Sequence, residues 1–142
     1  MQDIKKLLPH REPFLFVDRI EKYTEEEIIG YKLFSSREFF FKGHFPDYPV
    51  VPGVILVETM AQCGGAGVRL LGALSDDALF FLATIGKAKF KRQVRPQDEL
   101  KMVIENLRIS GRMLKQAGKG YVGDELACEA EWMCIVGSAS SV

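Results

Sequence analysis

The sequence predicts an α+β domain in which a curved antiparallel sheet wraps around one long central helix. Residues 53–71 carry apolar side chains around most of a helical surface, which is typical of a buried helix. Residues 78–94, 99–109, 115–122 and 125–136 are strand-like and are separated by turn residues. Strands that follow one another in this way favour antiparallel pairing, and together with one long helix they indicate this fold class.

The N-terminal half contains shorter elements. Residues 2–8 can form one or two helical turns that end at Pro9, and residues 14–17 are a short β-rich run. Residues 27–34 predict a further strand, which a polar bend at 24–26 precedes.

Two segments are predicted to lack regular structure. Prolines recur at every third position, Pro46, Pro49 and Pro52, and each fixes φ and removes a backbone donor. Residues 43–53 are therefore expected to form a stiff, extended loop, and residues 137–142 a loose tail.

Three glycines lie inside the predicted long helix, at Gly64, Gly65 and Gly67. A glycine in a helix interior costs up to about 1 kcal/mol relative to alanine. We therefore expect other groups to approach the backbone of this helix closely enough to exclude larger side chains.

Length and composition set the domain organisation and exclude several classes of function. The chain has 142 residues, 47% hydrophobic and 27% charged, which suits a single domain over 1–142. Basic and acidic residues both number 19, so the overall charge indicates neither nucleic acid nor an anionic membrane as a partner. No apolar run approaches the roughly 18 residues of a membrane span, and we expect a cytoplasmic protein.

Cysteine and histidine usage argues against a disulfide framework and a metal centre. The three cysteines, Cys63, Cys128 and Cys134, lie in apolar contexts without a CxxC pair, as reduced core thiols do. The only histidines are His10 and His44, so one chain cannot supply a metal site that uses three or more histidine ligands. No metal is expected.

One dense group of candidate catalytic residues lies within residues 40–62. It places His44 on the proline-rich loop, Gly53 at the start of the long helix and Glu58 on the second turn of that helix. The motifs of serine hydrolases, P-loop proteins and dinucleotide-binding proteins are absent from the sequence.

These residue types suit a β-elimination from a thioester. The imidazole of His44 can take the acidic C2 proton at neutral pH. The free amides of Gly53 and Val54, at the helix N-terminus, can bind the developing enolate oxygen. Glu58 can protonate the leaving C3 oxygen if its apolar surroundings raise its pKa, and Gln62, one turn later, can hold that carboxyl group.

Several stretches carry a resemblance to a known family. They are residues 7–19, 43–46, 49, 52–54 and 58–62, and more weakly 89–92, 94–98 and 128–130. With these residues the chain resembles the hot-dog-fold (3R)-hydroxyacyl-[acyl-carrier-protein] dehydratases of type II fatty acid synthesis.

The resemblance implies an activity, a partner and an assembly. The reaction would convert a (3R)-3-hydroxyacyl-[acyl-carrier-protein] to the trans-2-enoyl form without a cofactor. The partner would be acyl carrier protein with its phosphopantetheine-linked substrate. The chain would form homodimers or trimers of dimers, in which His44 of one subunit meets Glu58 of the other.

The pathway and the acyl chain remain open. Arg37 replaces an asparagine that is common in the family, so both housekeeping fatty acid synthesis and a specialised polyene-type pathway are compatible with the sequence. An apolar tunnel should hold the acyl chain, and its candidate residues are Phe41, Phe45, Val50, Leu56, Phe80, Phe81 and Leu82.

One marked run of cations occurs in the sequence. It consists of Lys87, Lys89, Lys91, Arg92 and Arg95, and strand alternation would place the three lysines on one face. Such a patch can steer an acidic carrier protein, and it is equally typical of a solvated sheet edge.

Three alternative functions share much of this pattern. A hot-dog acyl thioesterase or a hydratase that uses coenzyme A would have the same fold and a helix-borne carboxylate. A non-catalytic acyl-binding subunit would keep the fold without turnover. The combination of His44, Gly53, Glu58 and Gln62 favours dehydration.

Overall fold

A computed structural model describes residues 3–43, 47–75 and 77–138. Its elements are α1 (Ile4–Leu7), β1 (Arg19–Tyr23), β2 (Glu27–Leu33), a 3₁₀ turn (Phe39–Lys42), α2 (Gly53–Leu70), β3 (Ala78–Phe90), β4 (Glu99–Ile109), β5 (Met113–Val122) and β6 (Glu125–Ser138). The predicted long helix and the predicted strand at 99–109 are confirmed with almost the same bounds.

All six strands form one antiparallel sheet in the order β1-β2-β4-β5-β6-β3. Strands β4, β5 and β6 are successive hairpin partners, whereas β3 crosses over to the edge beside β6. Helix α2 packs against every strand of the sheet, and its buried side chains join the sheet in one hydrophobic core. The predicted α+β architecture, a sheet wrapped around a central helix, is confirmed.

The three glycines of α2 lie where the sheet approaches the helix backbone. A Cβ on Gly64 would collide with the side chain of Gln116, and one on Gly67 would lie 2.5 Å from Ile28. A Cβ on Gly65 would lie 3.2 Å from the ring of Phe80, a tight contact. The predicted close approach is confirmed, and it explains why poor helix formers occupy the middle of this helix.

One polar side chain is fully buried where the sheet faces α2. Gln116 is fully buried, accepts a hydrogen bond from Trp132 Nε1 at 3.1 Å and donates one to Asn106 Oδ1 at 2.8 Å. Because both ends of its amide are satisfied, the polar group can lie in the core without an unpaired donor or acceptor. This bonding also fixes the side chain that excludes a methyl group at Gly64.

The β-rich run at residues 14–17 is not a strand, so this part of the sequence interpretation was wrong. The first strand begins later, at Arg19. The backbone of the run is instead bonded to a helix side chain: Phe16 N donates to Gln62 Oε1 at 2.8 Å, and Phe14 O accepts from Gln62 Nε2 at 3.0 Å. A segment whose amides are used in this way cannot also join a ladder.

The ends of strands β3 and β6 differ from the sequence interpretation. Strand β3 ends at Phe90 rather than near residue 94, because the amides of Lys91 and Arg92 both turn to the carbonyl of Ala127. Residues 137 and 138 belong to β6, where they pair with the start of β3, rather than to a loose tail. The remainder of that predicted tail, residues 139–142, lies outside the described residues.

The cysteines are buried and unpaired, as the sequence predicted. Burial raises the pKa of the Cys128 thiol to about 12 and that of Cys134 to about 11, so both are neutral thiols under ordinary conditions. Within residues 3–43, 47–75 and 77–138, no group of three metal-binding side chains occurs. No helix in the same ranges is long and apolar enough to cross a membrane.

We predict that Gly64→Ala destabilises the protein although alanine is the better helix former. Overpacking against the fixed Gln116 side chain should cost about 1–3 kcal/mol, more than the ~1 kcal/mol gained in helix propensity. Gly65→Ala, which meets only a tight contact with Phe80, should be destabilised less. Denaturant unfolding of both variants checks this order, and a Gly64→Ala protein as stable as the wild type would contradict it.

Candidate active site

Glu58 lies on the second turn of α2 and faces a cavity of about 240 Å³. The apolar part of the lining comes from Leu8 and from Phe80, Phe81 and Leu82 at the start of β3. The Glu58 side chain retains 20% of its exposure, so it is reached from this cavity without being fully solvated. A carboxyl group placed in this way can contact a single polar group of a largely apolar ligand.

Gln62 holds the Glu58 carboxyl group in place. The two residues are one helical turn apart, and Gln62 Nε2 donates to Glu58 Oε2 at 2.8 Å. Its other two hydrogen bonds go to the backbone of the segment at residues 14–16, and only 2% of the residue is exposed. The geometry matches the supporting position expected for Gln62, whose role in activity stays a prediction.

Burial changes the protonation of Glu58. Loss of solvent raises the pKa of this carboxyl group above its usual value, and the hydrogen bond from Gln62 opposes part of that rise. The protonated, neutral form therefore persists to higher pH than for an ordinary surface glutamate. This is the property that a general acid needs.

His10 is a residue of the site that the sequence interpretation did not identify. It lies between α1 and β1, and its Nε2 is 3.5 Å from Glu58 Oε2. Burial, and secondly the charge of Arg11, lower the pKa of His10, so the imidazole beside Glu58 is neutral at pH 7. The sequence placed His10 among the residues that resemble the dehydratases, but nothing near it in the chain indicates a contact with α2.

The N-terminus of α2 supplies free backbone donors. Pro52 precedes the helix and provides no side-chain cap. Its carbonyl accepts hydrogen bonds from the amides of Ile55 and Leu56. Among the described residues no acceptor binds the amides of Gly53 or Val54. The ring of Phe90 covers Gly53 so closely that a Cβ there would lie 2.9 Å away, which accounts for glycine at this position.

His44, the predicted base, lies outside the described residues together with Phe45 and Pro46. Its position relative to Glu58 therefore stays a prediction. The loop that follows has neither helix nor strand over residues 47–52, as its prolines predicted. Val51 N donates to the carbonyl of Val94 at 2.7 Å, which anchors the end of this loop to the chain beyond β3.

The predicted tunnel residues fall into separate groups. Phe80, Phe81 and Leu82 line the Glu58 cavity, whereas Val50 and Leu56 line a second cavity of about 330 Å³ beside Gly53. Phe41 is buried in the core, and Phe45 lies outside the described residues. Arg37 is exposed in the turn before the 3₁₀ helix.

The run of cations predicted to dock a carrier is interspersed with acidic side chains. The ion pairs are Lys87 with Glu131, Lys91 with Glu129, and Arg92 with Asp98 and Glu125. A bulge between Gly86 and Lys89, with Lys87 at a φ of 51°, interrupts the alternation expected for the three lysines. Arg95 donates to the hydroxyl of Tyr48 at 2.6 Å. The docking role of these cations stays a prediction.

The fold and the site together define a hot-dog protein that presents a carboxylic acid from its central helix. The model of the FabA-like domain matches residues 8–131. This chain belongs to the FabA-like family. It is 45% identical over 135 residues to the 3-hydroxyacyl-[acyl-carrier-protein] dehydratase FabZ of Desulforamulus reducens, with 94% of each chain covered. The enzyme of the same name from Clostridium kluyveri is 42% identical over 96% of this chain and 95% of its own.

Solved structures share the fold at low sequence identity. The dehydratase heterocomplex ApeI:P from Xenorhabdus doucetiae superposes with a TM-score of 0.83 at 14% identity, over 99% of this chain and 94% of that one. A hypothetical thioesterase from Streptococcus pneumoniae, crystallised with coenzyme A, has a TM-score of 0.61 at 13% identity over 84% and 85%. At these identities the likeness extends to the fold alone.

We predict that Glu58→Gln stabilises the protein, and increasingly so as pH rises. A carboxyl group whose pKa is raised on folding favours the folded state below its unfolded pKa, and this contribution is lost as pH rises through the folded pKa. Glutamine keeps an acceptor for Gln62 and carries no charge to bury.

Thermal unfolding of wild type and Glu58→Gln from acidic to neutral pH checks this expectation. The two should unfold alike at low pH and diverge above the usual range of a glutamate. Glu105→Gln, at an exposed position on β4, is the matched control and should differ from wild type by less than about 0.5 kcal/mol. An equal, pH-independent shift in both variants would contradict the prediction.

Proposed function

We propose that this chain catalyses the reversible dehydration of (3R)-3-hydroxyacyl-[acyl-carrier-protein] to trans-2-enoyl-[acyl-carrier-protein] in fatty acid or related acyl-chain biosynthesis. The observation that carries the proposal is Glu58, a partly buried carboxyl group with a raised pKa, held by Gln62 at a largely apolar cavity. The FabZ dehydratases at 42–45% identity over nearly the whole chain support the same reaction.

The proposed steps require only a base, an acid and backbone donors. His44 removes the C2 proton, and the amides of Gly53 and Val54 bind the carbonyl oxygen on which negative charge develops. The electron pair then forms the double bond between C2 and C3, and the C3–O bond breaks. Glu58 gives its proton to the leaving oxygen, so water departs and no cofactor takes part.

The edge strand β3 supports an assembly of two copies. It is 13 residues long, its outer edge has no described partner strand, and four of its large apolar side chains are exposed. They are Phe81 at 42%, Leu82 at 37%, Ile85 at 52% and Phe90 at 50%. A long, apolar, unpaired edge is a template for another strand, and a second copy of the chain presents the same edge by two-fold symmetry.

A dimer through β3 would also complete the site. Phe81 and Leu82 line the Glu58 cavity from this same edge, so a second copy would close the cavity. In our proposal it also brings His44 of one subunit to Glu58 of the other. Further association into a trimer of dimers is part of the prediction, as is a cytoplasmic location, which the three unpaired buried cysteines support.

We predict that His44→Ala and Glu58→Ala each lower the turnover of 3-hydroxyacyl-[acyl-carrier-protein] by at least about 100-fold, because each removes one proton-transfer group. The assay follows enoyl formation from (3R)-3-hydroxybutyryl and longer substrates, while size-exclusion chromatography checks the assembly. Release of free thiol without enoyl product would point to the thioesterase, and silence in both assays to an acyl-binding subunit. Full activity of His44→Ala would contradict the mechanism.

We predict that Ile85→Asp dissociates the dimer and lowers turnover with it, because a buried, unpaired charge at the joined edges is costly. Tyr23→Asp is the control, since it places the same charge on β1 at the far edge of the sheet, where Tyr23 is 43% exposed. Analytical ultracentrifugation measures the assembly of both variants. If the Ile85→Asp protein forms an assembly of the same mass as the wild type, β3 is not the interface.

A further inference from the structure

The loop that carries His10 is held by a buried leucine and by hydrogen bonds within the turn. Leu8 is 2% exposed, and its amide donates to the carbonyl of Ile4 at 3.0 Å. Arg11 Nη1 donates to the carbonyls of Leu8 and His10 at 2.8 and 2.7 Å, which ties the turn together. The 3.5 Å approach of His10 to Glu58 therefore follows from an anchored backbone on one side and from helix α2 on the other.

Both polar side chains that approach Glu58 meet the same oxygen. Gln62 Nε2 donates to Oε2 at 2.8 Å and His10 Nε2 lies 3.5 Å from the same oxygen, whereas no described residue hydrogen bonds to Oε1. An amide nitrogen only donates, so Oε2 is an acceptor in both protonation states of the carboxyl group. The carbonyl oxygen of a protonated carboxyl group is a better acceptor than its hydroxyl oxygen, so donors at Oε2 favour the proton on Oε1.

The surroundings of the other imidazole nitrogen select the tautomer of His10. Nδ1 is buried and has no hydrogen-bond partner among the described residues. A buried N–H without an acceptor is rarer and costlier than a buried acceptor without a donor. The proton of the neutral imidazole therefore lies on Nε2, the nitrogen that is 3.5 Å from Glu58 Oε2.

We propose that His10 is a positioning residue, whose Nε2–H joins the Gln62 amide in holding Glu58 Oε2 as acceptor so that Oε1 carries the proton to the substrate C3 oxygen. The inference rests on the proposed dehydration and adds an orientation to it. Once the proton has left Oε1, the same two donors stabilise the carboxylate on Oε2 until it is protonated again.

The other groups around Glu58 leave this role to His10. Cys134 on β6 lines the cavity as a neutral thiol, and the contribution of β3 is apolar, from residues 80–82. In the proposed dimer His44 of the partner subunit acts on C2 rather than on Glu58.

A matched pair of substitutions separates the donor from the shape of the side chain. His10→Phe keeps a planar ring and removes the donor, whereas His10→Gln places an amide N–H close to the position of Nε2. Both are compared with wild type in kcat and KM on carrier-linked substrate. In parallel, ¹³C NMR titration follows the side-chain carboxyl of Glu58, assigned by its loss in Glu58→Gln.

His10→Phe should lower kcat by about 10-fold with little change in KM, since only the acid step loses its orientation. It should also raise the pKa of Glu58, because a donor to the carboxylate is lost, and His10→Gln should restore both properties toward wild type. Unchanged kcat in His10→Phe would overturn the inference. Equal losses in both variants without a change in the Glu58 titration would reveal a purely structural role and overturn it as well.

Failure of the proposed function gives a different result. A wild-type protein without dehydratase activity would refute the reaction, while the Glu58 titration in the three proteins would still decide whether His10 donates to Oε2. An unchanged Glu58 titration in His10→Phe would show that His10 does not donate a hydrogen bond to Glu58.

Discussion

The amide of Gln62 is the interaction on which the site depends. It bonds both to the Glu58 carboxyl group and to one backbone donor and one backbone acceptor of the segment at residues 14–16, which is not part of the sheet. A single buried side chain thus sets the direction of the acid and the path of the chain that leads from His10 to β1. Such a shared amide has few substitutes, because any loss leaves several buried polar groups unpaired.

Around this contact two local features are energetically unfavourable. Three glycines interrupt α2 so that Gln116, Phe80 and Ile28 can approach it, and Glu58 is held in surroundings that oppose its charge. Packing of the sheet against the helix offsets the cost of the glycines. No structural gain offsets the cost of placing Glu58 in these surroundings. A destabilised carboxyl group in an otherwise consistent core is what a functional site leads one to expect.

Much of this arrangement could be predicted from the sequence. The features that could not be predicted were missed for physical reasons. Apolar periodicity placed α2 and β4 to within a residue, and chemical reasoning selected Glu58 and Gln62. The run at residues 14–17 has the composition of a strand, but its hydrogen bonds go to a side chain 46 residues away. His10 was missed for the same reason: its contact with α2 depends on how the chain folds back, which local patterns do not encode.

The position of β3 links two properties that are usually separable. Residues near its start line the cavity beside Glu58, and the same strand is one of the two edges of the sheet. A change at Phe81 or Leu82 that altered the space for an acyl chain would therefore also alter the surface available to a second copy. In the proposed dimer, the need to keep the subunits together therefore constrains changes of chain length at these two positions, and residues on the helix side of the cavity are free of that constraint.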